Sequence, residues 1–170
     1  MVTGLKASSS IVAIGFLAVE GAANTFAEQQ VDLNLSPLDR EVFVVLSVNL
    51  DPGAPDSVAG LNTSTTASLT ATRQTAVAGL DNSNCLAHTK LSIRQNAGSI
   101  DGVSFARDST ETPATGLDYI GIIATNDFFV QVSGTNNTNA KQCAGKVYGY
   151  RARASADIFA ALVQSEVLSA

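Results

Sequence analysis

The run EVFVVLSVNL at residues 41–50 is followed at once by DPGAPD, and this pairing of a β-forming segment with a turn cluster recurs down the chain. Val and Phe lose side-chain freedom in a helix and pack well on a pleated surface, so the run predicts a strand. The two prolines in DPGAPD stop it. TTASLTATRQ (65–74) sets Ala67, Leu69 and Ala71 against Ser68, Thr70 and Thr72. LAHTKLSIRQ (86–95) sets Leu91 and Ile93 against Lys90, Ser92 and Arg94. That alternation is the mark of a strand with one face buried.

SIDGVSFARD (99–108), LDYIGIIATN (117–126), DFFVQVSGT (127–135) and GKVYGYRARA (145–154) continue the series, with a tight turn expected at Thr125-Asn126-Asp127. With the short alternating piece VDLNLS, the count reaches seven or eight strands. No strand–helix–strand alternation intervenes, so the expected fold is mainly β. It is an antiparallel β-sandwich of the jelly-roll or immunoglobulin kind. The chain has no Trp, hence no Cys…Trp…Cys core, and the jelly-roll type is favoured. At 170 residues it forms one ordinary domain. Val44, Leu91, Ile93, Ile122 and Val130 are expected on inward faces.

Residues 1–28 differ. SSSIVAIGFLAVEGAANTFA is apolar and small, with Lys6 before it. A signal peptide fits its length, but Glu20 and Gly21 break the apolar run early. A membrane span needs ~20 apolar residues, and Glu20 falls inside this one. The favoured reading is an apolar helix or arm, with Ile11, Ile14, Phe16 and Leu17 as its contact surface. The organisation is therefore an N-terminal arm or helix and linker (1–40) and a sandwich domain (41–170) with a short C-terminal tail or helix. In SADIFAALVQSEVLSA, Ser155 can cap a helix whose Ile158, Phe159, Leu162 and Val163 share a face.

No pattern of residues carries catalytic chemistry, and the chain reads as non-enzymatic with no cofactor. There is no G-x-S-x-G, and His88 is the lone histidine. No phosphate loop is present, and acidic residues such as Asp51, Asp56, Asp101, Asp108 and Glu111 are scattered through turns. DPGAPD lacks the spacing of a calcium loop. Cys85 and Cys143, with His88, do not complete a zinc site. Their separation permits a disulfide closing a long loop, and free thiols fit equally well. Asn34-Leu35-Ser36, Asn62-Thr63-Ser64 and Asn136-Asn137-Thr138 match the glycosylation pattern, as Asn- and Thr-rich chains do by chance. The net charge of −5, with no basic tail, argues against direct nucleic-acid binding. Lys146, Arg151 and Arg153 form the densest basic group.

The closing segment DFFVQVSGTNNTNAKQCAGKVYGYRARASADIFAALVQSEVLSA resembles small virion structural proteins, capsid or capsid-associated, of the single jelly-roll type. The likeness lies in Thr/Asn/Gly-rich loops, a late strand pair and a short C-terminal tail, and covers about a quarter of the chain. It implies a virion location and self-association into a homo-oligomer. Tyr148, Tyr150, Arg151 and Arg153 on the closing strand would then join Ile11, Ile14, Phe16 and Leu17 as contacts. The partners would be copies of the chain, with other virion proteins or lipid at the apolar N-terminus. Two other classes stand beside this reading. One is a cell-surface, pilus-like filament subunit. The other is a carbohydrate- or ligand-binding module, for which Tyr148 and Tyr150 share a strand face.

Overall fold

The structure, a computed structural model, describes residues 3–95, 102–108 and 117–170. Ten strands and a helix lie among them. The strands are β1 (Leu5–Ala7), β2 (Val12–Val19), β3 (Ala27–Asp32), β4 (Glu41–Pro52), β5 (Thr63–Thr70), β6 (Cys85–Gln95), β7 (Gly102–Asp108), β8 (Gly121–Ile123), β9 (Asp127–Thr135) and β10 (Gln142–Ala154). The helix is α1 (Ala156–Leu168).

The pairings are nested. β2 pairs with β10, β3 with β9, β4 with β8 and β5 with β6, all antiparallel. The chain thus runs out from β2 to β5 and returns alongside itself. Rolling that double ribbon brings β10 against β4 and β9 against β5. Two sheets result. Sheet A is ordered β1-β10-β4-β8 with β2 also on β10, and sheet B is ordered β3-β9-β5-β6-β7. A double ribbon rolled into two facing sheets is the jelly roll, which manages strand edges by wrapping.

Between the sheets lies the main core. Phe43, Val45 and Val48 of sheet A meet Leu69, Phe128, Val130 and Val132 of sheet B, each 0–1% exposed. Every fully buried side chain of this size contributes roughly 1.5–3 kcal/mol. The Val42–Leu46 part of β4 reads as an unbroken apolar run because both its faces are covered. Phe43 and Val45 face sheet B, while Val42 and Val44 face α1. The register then slips at Leu46, where Tyr148 pairs with Ser47 but Gly149 with Val45. This bulge turns Val48 inward.

Helix α1 closes the outer face of sheet A at one end. Its Ile158, Phe159, Leu162 and Val163 pack on Leu5, Val42, Val44, Ala152 and Ala154, the face read from the sequence. Ser155 is the N-cap, but its hydroxyl makes no capping bond. Inside the helix, Glu166 is buried and accepts from the backbone N–H of Ala124 (2.7 Å) and of Thr125 (2.9 Å), fastening α1 to the β8–β9 turn.

The mainly β, antiparallel sandwich stands as expected, with one element corrected. No helix forms at the N-terminus: residues 5–7, 12–19 and 27–32 are strands, and the helix lies at the C-terminus. The sandwich supplies the reason, because β10 needs a partner opposite β4 and β2 provides it. Val130 is fully buried between the sheets as expected, whereas Val44 is fully buried on the opposite face of sheet A, under α1. Leu91 and Ile93 are only half-buried: they share a face with Ala87 (0% exposed), but the cover fades along β6. Ile122 packs under α1, not between the sheets, on a strand of only three residues. Residues 99–101 of the expected 99–108 strand lie outside the described residues. Thr125-Asn126-Asp127 forms a crossing between sheets, since β8 and β9 belong to different ones.

Candidate functional site

Strand β2 ends sheet A at one side, and its one strand partner among the described residues is β10. Register divides its side chains. Ile14, Phe16 and Ala18 stand opposite Val147, Gly145 and Cys143 and join the inter-sheet core. Ala13, Gly15, Leu17 and Val19 therefore face outward. Leu17 is 49% and Val19 52% exposed, and Ile11, just before the strand, is 65% exposed. The strand VAIGFLAV carries no charge and no proline. An unpaired, apolar edge of eight residues is a template for another strand, and most proteins blunt such an edge.

The edge is held firmly in place. The ring of Phe16 meets Phe128 edge-on at 5.9 Å and 77°. Phe16 fits because residue 145 is glycine; a Cβ there would lie 2.6 Å from the ring and 2.2 Å from the carbonyl oxygen of Asn49. At the strand's end, Glu20 turns inward and is 3% exposed. Its carboxylate accepts from the backbone N–H of Gly134 (2.6 Å) and of Lys141 (2.7 Å). The charge nearest the edge is thus spent inside the fold.

Neighbouring polar groups are also engaged. Asp56 accepts from Lys141 Nζ (2.6 Å) and from the N–H groups of Thr138 (2.9 Å) and Asn139 (2.8 Å). Lys141 and these amides hold the Asp56 carboxyl below the usual carboxylate range. Across sheet B, the 71–84 connection folds over the outer face. It covers a layer in which Ser68 Oγ donates to Gln131 Oε1 (2.6 Å) and accepts from Ala78 N–H (3.1 Å). Gln131 Nε2 donates to Thr70 Oγ1 (2.7 Å) and to Glu28 Oε2 (3.1 Å). Arg73 pairs with Glu28 at 3.3 Å and lies 5.4 Å above the Phe129 ring.

Ser68 and His88 stand opposite each other in register, but this is no nucleophile pair. Ser68 is fully buried with its hydroxyl engaged, and His88 Nδ1 meets the Ala78 carbonyl oxygen at 2.8 Å. Among the described residues, no three His, Cys, Asp or Glu side chains group as a metal site requires. Cys85 and Cys143 are free thiols, one at the start of β6 in sheet B and the other inside the core on β10. Burial pushes Cys85 up to about 11 and Cys143 up to about 12, so both are protonated and poor nucleophiles at neutral pH.

The residues singled out in the sequence scatter. Ile11 and Leu17 are on the bare outer side of β2, while Ile14 and Phe16 point into the core. Tyr148 is half-buried on the outer face of β10, and Tyr150 lies under α1. Arg151 turns in to donate from Nη2 to the Leu33 carbonyl (2.7 Å), with its Nε buried and unpartnered. Arg153 is exposed, opposite Glu41. Val19 is outward on the same strand as Leu17 and belongs to the same bare side. Glu20, Glu28 and Glu166 are internal locks that the sequence pattern does not by itself single out. A lone acidic residue in an apolar run is the trace such a lock leaves.

No helix among the described residues is long and apolar enough to cross a membrane. No protein-family model matches the chain. No curated protein matches it either. Among solved structures, it is similar to a chain of the Desmodium yellow mottle tymovirus structure, with 13% identity and a TM-score of 0.31. That similarity covers 86% of this chain and 90% of the other. A match this distant places no residue of this chain in a role.

Proposed function

We propose that this chain is a non-enzymatic structural subunit that assembles with copies of itself, and that the assembly is a virus shell. The observation that carries the reading is the bare β2 edge: uncharged, apolar on its outward side and unpaired. A second copy is the fitting occupant, because an uncharged strand meets no like charge when it faces itself. The jelly roll is a fold in which shell proteins occur, and the virion-like closing segment points the same way. An acidic chain of net charge −5 repels its copies, so added salt favours assembly by screening.

Sedimentation velocity and negative-stain microscopy test this on the full chain and on Leu17→Asp/Val19→Asp. The intact protein sediments as a large species, increasingly so with salt, and closed particles of uniform diameter are seen. The double variant stays subunit-sized with an unchanged melting temperature. A strict monomer at every concentration and salt level overturns the structural reading. Filaments in place of shells overturn the virion reading, and normal assembly of the variant overturns the role of the edge.

A further inference from the structure

Sheet B keeps a second open surface, at the opposite end from β3 and so away from β2. On the outer face of β5 and β6, Asn62, Ser64, Lys90, Ser92, Arg94 and Thr135 line a dish of about 280 Å³. This is close to the smaller ligand clefts, which begin at ~300 Å³. Lys90, Ser92 and Arg94 alternate along β6 and so share this face, with Ser92 opposite Ser64 in register. Across from them on β7, Phe105 is opposite Ser92 and Val103 opposite Arg94; the two are 52% and 60% exposed.

The walls are fixed before any ligand arrives. Asn136 Nδ2 donates to the Asn62 carbonyl (3.0 Å), Asn62 Oδ1 accepts from Gln95 N–H (3.0 Å), and Asn137 Nδ2 donates to the Ser64 carbonyl (2.9 Å). The floor offers hydroxyls and an amide. The ion pairs among the described residues join Arg73 to Glu28 and Lys141 to Asp56, so Lys90 and Arg94 stand uncompensated. In a chain of net charge −5, two cations without an ion-pair partner among the described residues, on one hydroxyl-lined face beside an exposed aromatic ring, select a compact ligand over a long polyanion.

We propose that this dish binds an acidic carbohydrate. A sugar ring lies against Phe105, its hydroxyls meet Ser64, Ser92, Asn62 and Thr135, and its carboxylate or sulfate takes Lys90 and Arg94. Arg supplies a two-pronged contact to either anion, and Lys a mobile point charge. A preformed wall lowers the ordering cost of binding. Shell assembly through β2 leaves the dish open, so the two sites can fail separately.

Ligand-observed NMR and titration calorimetry on the full chain test it with four probes. These are an unsulfated uronate disaccharide, its sulfated counterpart, lactose and an oligothymidylate. Binding of either acidic disaccharide roughly tenfold tighter than lactose supports the site, as does a loss of roughly tenfold in each of Lys90→Gln and Arg94→Gln. Phe105→Ala weakens the acidic sugars by about fivefold with the melting temperature unchanged. The uronate and sulfated arms tell which anion is preferred. Equal affinity for lactose, full affinity in the Lys90→Gln/Arg94→Gln double variant, or no acidic-sugar binding at about 10 mM overturns the proposal. Tighter binding of the oligothymidylate overturns it in favour of nucleic acid.

Discussion

β2 and β3 lie side by side at one flank of the sandwich, one closing each sheet, yet their outward faces have opposite characters. Both send inward residues into the same core: Ile14, Phe16 and Ala18 from β2, Ala27 and Val31 from β3. Outward, β2 shows Ala13, Gly15, Leu17 and Val19, whereas β3 shows Glu28, Gln30 and Asp32. The β3 side chains are tied down, Glu28 by Arg73 and Gln131, and Gln30 Nε2 by Asp127 Oδ2 (2.5 Å). β3 is thus an edge blunted by charge and β2 is an edge left sticky. Two strands in one setting differ only where water or a partner would meet them, so the difference reports on what each one meets.

The strongest way to break the comparison is to remove what the two edges share. Phe128 touches the ring of Phe16 on β2 and pairs with Val31 on β3. Phe128→Ala opens a cavity beneath both and should cost ~3–5 kcal/mol, lowering the denaturant midpoint and losing both edges together. Loss of only one edge, read by amide exchange, would show that the edges are anchored independently.

Glu20→Ala acts on β2 alone. It strips the partner from two buried N–H groups, at Gly134 and Lys141, and should cost ~2–4 kcal/mol. Glu20→Gln keeps one acceptor and should lose about half as much. Equal losses in the two variants would mean that packing, not hydrogen bonding, sets the value of this side chain.

Acid titration gives a smaller effect with opposite signs at two sites. Asp56 titrates below its ordinary 3.8 in the fold, so the unfolded chain binds protons more readily there. Its stabilisation is complete above 3.8 and is lost as pH falls through the lower folded value. Glu166 is pushed above 4.5 by burial, against the pull of the Ala124 and Thr125 N–H groups. Its contribution declines as pH rises from 4.5 through that higher folded value. Urea midpoints measured from acid to neutral pH should lose the first slope in Asp56→Asn and the second in Glu166→Gln. Slopes unaltered by either change would contradict these assignments.

The smallest effect belongs to β3. Gln30→Lys on its already polar face should change stability by less than about 0.5 kcal/mol and leave the sedimentation profile unchanged. A lysine at Leu17 should abolish the large species at the same small cost in stability.

How far the sequence could be read follows from what each strand meets. β4, β9 and β10 were legible because burial imposes apolar runs or alternation on them, and α1 because its apolar residues keep one stripe. The sequence of β2 reads as an arm or helix. With a buried Ala18 and outward Leu17 and Val19, both its faces are apolar, and the alternation that betrays a strand is erased. Leu91 and Ile93 kept the alternation but lost the cover, which belongs to the opposite sheet and leaves no mark on β6. The residues proposed for self-contact divide between the core and the bare side for the same reason: a list of apolar residues does not say which side of a strand each takes. The dish of sheet B combines Asn62, Lys90 and Thr135 from three separate strands and loops, a juxtaposition created only by the rolled ribbon.

Amide hydrogen exchange at β2 and β3, followed from dilute to concentrated protein, tests most directly the claim that the bare edge is where copies meet. Amides of Val12–Val19 should gain protection as concentration rises, while those of Ala27–Asp32 stay as they are. Protection of β2 that is independent of concentration, or that rises equally in β3, would contradict the account.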